Sequence, residues 1–245
     1  MPMGRRVHAS LFILAVMLTA ESSSAAFHLM QIEQVIGGVN GDSTAQAIQL
    51  RLRAGGETNL SFARLRAWDA SGANPITLID FDSDVSSGSL GDRVLIASPA
   101  FMTYTQTPIS SDFEMTNLIP GSYLAAGRIT FEGDDGTIYW LLGFGGSAYS
   151  GSTLGYGTND RDGNFGPPFA GSLPSSDARA LLFQRLATDF SLSNDVDYAL
   201  TDGPAVFTNN TGESTLLVPE PGTLSLLFVA VGVFSRHRAR RKQTR

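Results

Sequence analysis

The sequence predicts an all-β fold, an antiparallel β-sandwich with one short helix, followed by a C-terminal transmembrane helix. Three observations lead there. Between residues 27 and 218, short runs of alternating or β-branched and aromatic residues recur, each closed by a Gly, Asn, Asp or Ser cluster. Helical periodicity is confined to one stretch of that region. Two apolar segments with basic neighbours, 11–20 and 222–235, lie outside it and read as targeting elements rather than core.

Each element follows from its residues. Phe27 to Ile36 is the first strand, ended by Gly37-Gly38. Ala45 to Leu52 sets Ala45, Ala47 or Ile48, Leu50 and Leu52 against Gln46, Gln49, Arg51 and Arg53. Leu60 to Trp68 alternates Leu65 and Ala67 with Arg64, Arg66 and Trp68. Pro75 to Phe81, Arg93 to Ala97, Tyr123 to Phe131 and Thr137 to Phe144 continue the style, with turns at Gly72, Gly133 to Gly136 and Gly145-Gly146. Ser147 to Leu173 is glycine-rich and reads as a long surface loop. Ser176 to Leu186 is the helix, with Ser175 or Ser176 as N-cap and Asp177 in its first turn. Ala199 to Phe207 and Ser214 to Val218 are the closing strands.

Charge divides the 245 residues unevenly. The net value of −6 averages two basic ends and a region 27–218 with nine arginines, no lysine and 21 acids, a formal −12. That region will not hold nucleic acid by phosphate neutralisation. With no cysteine in the chain, disulfide frameworks, thiolate metal sites and cysteine catalysis are excluded.

The N-terminus has the parts of a secretory signal peptide, exported by the Sec machinery and cut by signal peptidase. Arg5 and Arg6 precede a ten-residue apolar run, too short to span a bilayer that needs roughly 20. Ser24 and Ala26 are small at the −3 and −1 positions, which places cleavage between Ala26 and Phe27. The C-terminus carries Pro219-Glu220-Pro221, then the uncharged segment 222–235, then a basic end with Arg236, Arg238, Arg240, Arg241 and Lys242. As a helix, 222–235 covers about 21 Å, so it spans the inner membrane only with snorkelling arginines or local thinning. The basic cluster then stays cytoplasmic and the acidic region lies outside.

This order of tripeptide, short apolar helix and arginine-rich end resembles the PEP-CTERM sorting signal. The resemblance implies recognition by exosortase, a membrane-embedded transpeptidase-like enzyme that removes the tail. It further implies transfer of residues 27–218 to the cell surface or exopolysaccharide matrix of a Gram-negative bacterium. The domain also resembles the lamin-tail-like immunoglobulin-type sandwich, through Ile32-Glu33-Gln34-Val35, Ala47-Ile48-Gln49-Leu50, Asn59 to Arg66 with Asp69-Ala70-Ser71-Gly72, Arg93 to Ala97, and Ile129-Thr130-Phe131 with Asp135-Gly136-Thr137-Ile138. It departs where that family carries Trp-Val-Glu-Leu: here the tryptophan is Ala47 and the glutamate Gln49. The implied fold is an immunoglobulin-like sandwich.

Catalytic constellations are thin. His28 is the one histidine between residues 27 and 218, and no G-x-S-x-G, H-E-x-x-H or P-loop occurs. Only paired carboxylates remain for a hydrolase, so the expectation is a non-enzymatic structural or adhesive protein with no cofactor. The alternative is a Ca²⁺- or glycan-binding module. Asp160, Asp162 and Asn164 crowd oxygens beside Gly163, as a calcium loop does, though turns use the same residues. Asp80, Asp82 and Asp84, and Glu132 with Asp134 and Asp135, are weaker versions of that pattern. Tyr139, Trp140, Phe144, Tyr149 and Tyr156 offer either a sugar-stacking face or core packing.

Overall fold

Residues 26–153 and 165–218 are described by a computed structural model. Successive strand pairs shuttle between two sheets. β1 (Met30–Ile36) and β2 (Ala47–Leu52) pair in the first, β3 (Ala63–Trp68) and β4 (Ile76–Asp80) in the second. β5 (Arg93–Ala97) returns to the first beside β2, with the two-residue β6 (Phe113–Glu114) parallel to it. β7 (Gly127–Gly133) and β8 (Ile138–Phe144) pair in the second; β9 (Leu181–Phe183) and β10 (Tyr198–Leu200) pair in the first. The sheet orders are β10-β9-β1-β2-β5-β6 and β4-β3-β7-β8, antiparallel throughout except at β6. β11 (Val206–Thr208) and β12 (Ser214–Leu216) make a separate hairpin. The fold is mostly antiparallel sheet and poor in helix, and its main core lies between the two sheets.

That core follows from period-two alternation. β3 buries Ala63, Leu65 and Ala67, while β2 contributes Ile48, Leu50 and Leu52 from the facing sheet. Trp140 on β8 is fully buried, and its Nε1 donates to Tyr198 Oη at 2.8 Å. Tyr198 Oη in turn donates to the Ile32 carbonyl, so one chain of bonds ties β8 of the second sheet to β10 and β1 of the first. Phe183 packs edge-on against both rings, at 5.4 Å from each.

A second apolar layer lies on the other face of the first sheet. Ile36, Ala47, Leu95 and Ala97 meet Phe101, Ala205, Phe207 and Leu217 there. Hence every residue of β1 and of β2 is buried, and their polar positions do not face solvent as simple alternation implies.

The helix expected over Ser176 to Leu186 does not form. Asp177 closes a local turn by accepting from the Arg179 amide, and the following residues extend into β9. Leu181 and Phe183 bury in the main core, so strand burial overrides the local helical pattern. The single α-helix among the described residues is one turn, α1 (Asn194–Asp197). The strand expected over Ala199 to Phe207 is two, β10 and β11, broken at Asp202-Gly203-Pro204. The strand expected from Tyr123 begins only at Gly127, because Gly121–Tyr123 is a 3-10 turn.

The described flanks of the glycine-rich stretch are docked rather than loose. Phe169 bridges Phe144, Leu173 is buried in the main core, and the Gly145 amide donates to the Gly171 carbonyl at 2.8 Å. Gly145 is required here: its φ is +99°, and a Cβ would sit 2.3 Å from that of Ala126. No helix among the described residues is long and apolar enough to cross a membrane, and 222–235 lies outside them.

Candidate functional site

The outer face of the first sheet carries a polar cluster that the strand register creates. Arg51 and Arg93 are direct partners across β2 and β5, a pairing of like charges that is unfavourable by itself. A bulge in β1 between Ile32 and Gln34 inserts Glu33 as the extra residue and turns its carboxylate to the same face. Glu33 Oε1 lies 2.8 Å from Arg51 Nη1, and Arg93 donates side-on through Nε at 2.7 Å and Nη2 at 3.1 Å. Gln49 Nε2 adds a fourth bond to Oε2 at 2.8 Å. Glu33 is 3% exposed and Arg51 11%, whereas Arg93 keeps 37%. Burial pulls the Arg51 guanidinium down from its ordinary value, with Glu33 opposing that pull.

The β11–β12 hairpin roofs this cluster. Gln34 Nε2 donates to the Val206 carbonyl at 3.1 Å, and the Thr208 amide donates to Gln49 Oε1 at 2.6 Å. Farther along, Asp112 accepts from the amides of Leu95 and Asn210, and Asn210 Nδ2 donates to the Arg93 carbonyl. Burial raises the Asp112 carboxyl above its usual range, against the opposing effect of those two amides.

Between floor and roof lies a cleft of about 590 Å³. Glu33, Arg51 and Arg93 form its floor, while Arg185, Asp202 and Pro204 stand along its sides. Arg51 Nη2 also donates to the Arg185 carbonyl at 2.8 Å, which fixes that wall to the floor. The Arg185 guanidinium is held loosely, with Nη1 3.7 Å from Asp197 Oδ1. Three guanidiniums against Glu33, Asp202 and the adjacent Asp197 make this region formally neutral within a domain of −12.

A related cluster on the second sheet is closed. Glu132, fully buried, sits directly opposite Arg64 and is bound by Arg66 and by Thr130 Oγ1. Trp68 donates to the same Thr130 oxygen at 2.9 Å, and its ring lies between the guanidiniums of Arg66 and Arg128 at 4.8 and 4.4 Å.

The residues singled out from sequence fare differently. The Ala26 amide donates to Gly56 and its carbonyl accepts from Asn59, while the Phe27 ring packs on Tyr139 at 5.3 Å. Pro219, Glu220 and Pro221, the basic group Arg236, Arg238, Arg240, Arg241 and Lys242, and the calcium candidates Asp160, Asp162 and Asn164 lie outside the described residues. Of the other acidic runs, Asp135 caps Thr137 in its own turn, Asp84 accepts from the Ser61 amide 23 residues away, and Glu132 is taken up by Arg66. Among the described residues no three His, Asp or Glu side chains are grouped to hold a metal. Trp140, Phe144 and Tyr149 are buried, so the aromatic set does not present them as a stacking face, and Tyr156 is outside the description. His28 stands 4.0 Å from Glu57.

Sequence reading missed the cleft. The available signal was Glu33, a lone acid inside the first apolar strand, where burial demands cationic partners. Compared with known protein families, curated proteins and solved structures, the chain matches none.

Proposed function

We propose that the chain is an exported, exosortase-sorted protein of the cell surface or extracellular matrix, with a non-catalytic structural or adhesive domain of immunoglobulin-like, lamin-tail-like type. The leader 1–26 is removed before Phe27, segment 222–235 spans the inner membrane transiently, and the tail is released after recognition of Pro219-Glu220-Pro221. The observation that carries this reading is where Leu29 and Val218 sit in the fold. Leu29, two residues past the expected new N-terminus, accepts from the Arg53 amide beyond the Leu52 end of β2, whereas Val218 bonds Tyr104 and Asn40 at the opposite end of the β1–β2 pair. Leu29 and Val218 therefore lie about 20 Å apart, the length of a six-residue strand. A domain held from Val218 presents its other end outward. That end carries exposed Leu186, Phe190 and Leu192, beside Arg53, which donates to the Asp189 carbonyl. Such apolar exposure suits adhesion.

Intact mass of the mature protein from its own host tests the reading. The expected species starts at Phe27 and lacks the tail; a mass that retains 222–245 overturns it. Replacing Glu220 and Pro221 with alanine is expected to leave the protein in the membrane fraction, and unchanged release refutes the sorting claim.

A further inference from the structure

The arginine cleft has no part in export or sorting, and its three guanidiniums are committed to different degrees. Arg51 is occupied by Glu33 and the Arg185 carbonyl. Arg93 turns Nε and Nη2 to Glu33, and its Nη1 makes no hydrogen bond to the described residues. Arg185 is held only across 3.7 Å to Asp197, and its Nε bonds nothing among the described residues. The Glu33 carboxylate thus serves two guanidiniums, so the floor itself carries a net charge of +1, balanced in the region only by Asp202 on the exposed rim. An anion seated between Arg93 and Arg185 compensates that charge with charge-assisted hydrogen bonds.

The rim sets the rest of the ligand. Asp202 is exposed beside the cleft and bonds nothing among the described residues. A carboxylate only accepts, so ligand atoms beside it must donate. A second anionic group there is repelled, which disfavours polysulfates and polyphosphates. Leu182, Pro204 and Val206 add apolar surface on the same cleft, suited to the C–H face of a ring. Its volume of about 590 Å³ falls in the usual range for small-molecule sites. We infer that the cleft binds a hexuronic acid, its carboxylate between Arg93 and Arg185 and its hydroxyls toward Asp202. This assignment stands on the cleft alone and is independent of how the tail is processed.

Calorimetric titration of the full chain in a polyoxyethylene detergent, with sodium D-glucuronate as the probe, tests it. Saturable heat is expected by about 10 mM ligand, with D-glucose and sodium acetate each binding at least about tenfold more weakly. Arg185→Met leaves every Glu33 bond in place and is expected to weaken glucuronate at least about tenfold. Arg93→Met removes two of the Glu33 bonds but keeps those from Arg51 and Gln49; it is likewise expected to weaken glucuronate at least about tenfold, and supplies the second reading if the first variant does not fold. Asp202→Ala narrows the advantage of glucuronate over acetate. Arg179→Met, at an exposed arginine paired with Asp177 away from the cleft, leaves affinity unchanged. Absence of saturable heat, equal binding of acetate or inorganic sulfate, or full affinity in a folded Arg185→Met or Arg93→Met protein overturns the assignment.

Discussion

Replacing Glu33 with glutamine removes one charge and almost no volume, and its cost can be worked from the floor of the cleft. Arg51 and Arg93 are direct cross-strand partners, and the carboxylate between them offsets their repulsion. Arg51 is 11% exposed, so in Glu33→Gln it becomes a buried guanidinium without a counter-ion. Removing one partner of a buried pair costs about 3–5 kcal/mol. The exposure of Arg93 and the remaining bond from Arg51 to the Arg185 carbonyl place the expected loss at the lower end, about 3 kcal/mol. With a urea m-value of about 2 kcal/mol/M, the midpoint falls by roughly 1.5 M. Glu33→Gln combined with Arg51→Met removes both charges, and is expected to lose less than Glu33→Gln alone, by about 1 kcal/mol or more. Arg93→Met by itself costs under about 1 kcal/mol, since its pair is partly solvated. Urea unfolding of the purified protein and its variants, followed by far-ultraviolet circular dichroism, supplies all four values. A Glu33→Gln loss below about 1 kcal/mol, or a double variant weaker than the single, refutes the claim that this carboxylate holds the two strands together.

Three further outcomes are expected. Tyr198→Phe leaves Trp140 Nε1 buried without an acceptor and costs about 1–3 kcal/mol in the same unfolding assay, with the fold retained. Gly145→Ala forces a side chain at φ +99° against Ala126 and costs about 3 kcal/mol or more, read as a lowered melting temperature. Asp69 accepts from the Ser71 hydroxyl, the Ala73 amide, the Asn74 side chain and, least, the Ser71 amide, which together lower its pKa from 3.8 to about 2. Its folded value lies below the unfolded one, so the stability it contributes is complete above pH 3.8 and is lost as pH falls through about 2. Melting temperatures of Asp69→Asn are accordingly expected to fall less steeply than those of the parent between those two pH values.

Local pattern located most strands because alternation reports a face directly. Arg93–Ala97 forms as read, and the phase of β2 is right: Ile48, Leu50 and Leu52 do point into the main core. What local pattern cannot report is the layer opposite. Gln49 and Arg51 read as a solvent face, yet residues 205–217, more than 150 positions later, supply the cover. Long-range burial likewise converted 181–183 to a strand, although Ser176 to Leu186 satisfies helical capping and spacing. The break at Asp202-Gly203-Pro204 was visible, since each of those residues is a turn former. The two-residue β6 carries too few positions for any period to register. The cleft was hidden for the same reason as the cover: its floor comes from three strands and its walls from 182–208, joined only by register and by a bulge.

The two carboxylate–arginine clusters use the same chemistry, and their difference separates a structural role from a binding one. Glu132 receives Arg66 and Thr130, faces Arg64 across the strand pair, and stacks its neighbours on Trp68; Arg64 and Arg66 are each 21% exposed. That arrangement does what cross-strand ion pairs do in a sheet, fixing the register of β3 against β7. Glu33 also fixes register, but it is itself the extra residue of its bulge, whereas the register shifts beside Glu132 and Arg66 place the extra residues, Tyr139 and Leu78, on the neighbouring strands β8 and β4. The carboxylate engages Arg93 through Nε and Nη2 only, and Arg93 keeps 37% exposure. A sheet needing only register has the closed solution available, and the second sheet adopts it. The open solution on the first sheet leaves part of a guanidinium facing a roofed cleft in an otherwise acidic domain, a geometry that register alone does not require and that an incoming carboxylate completes.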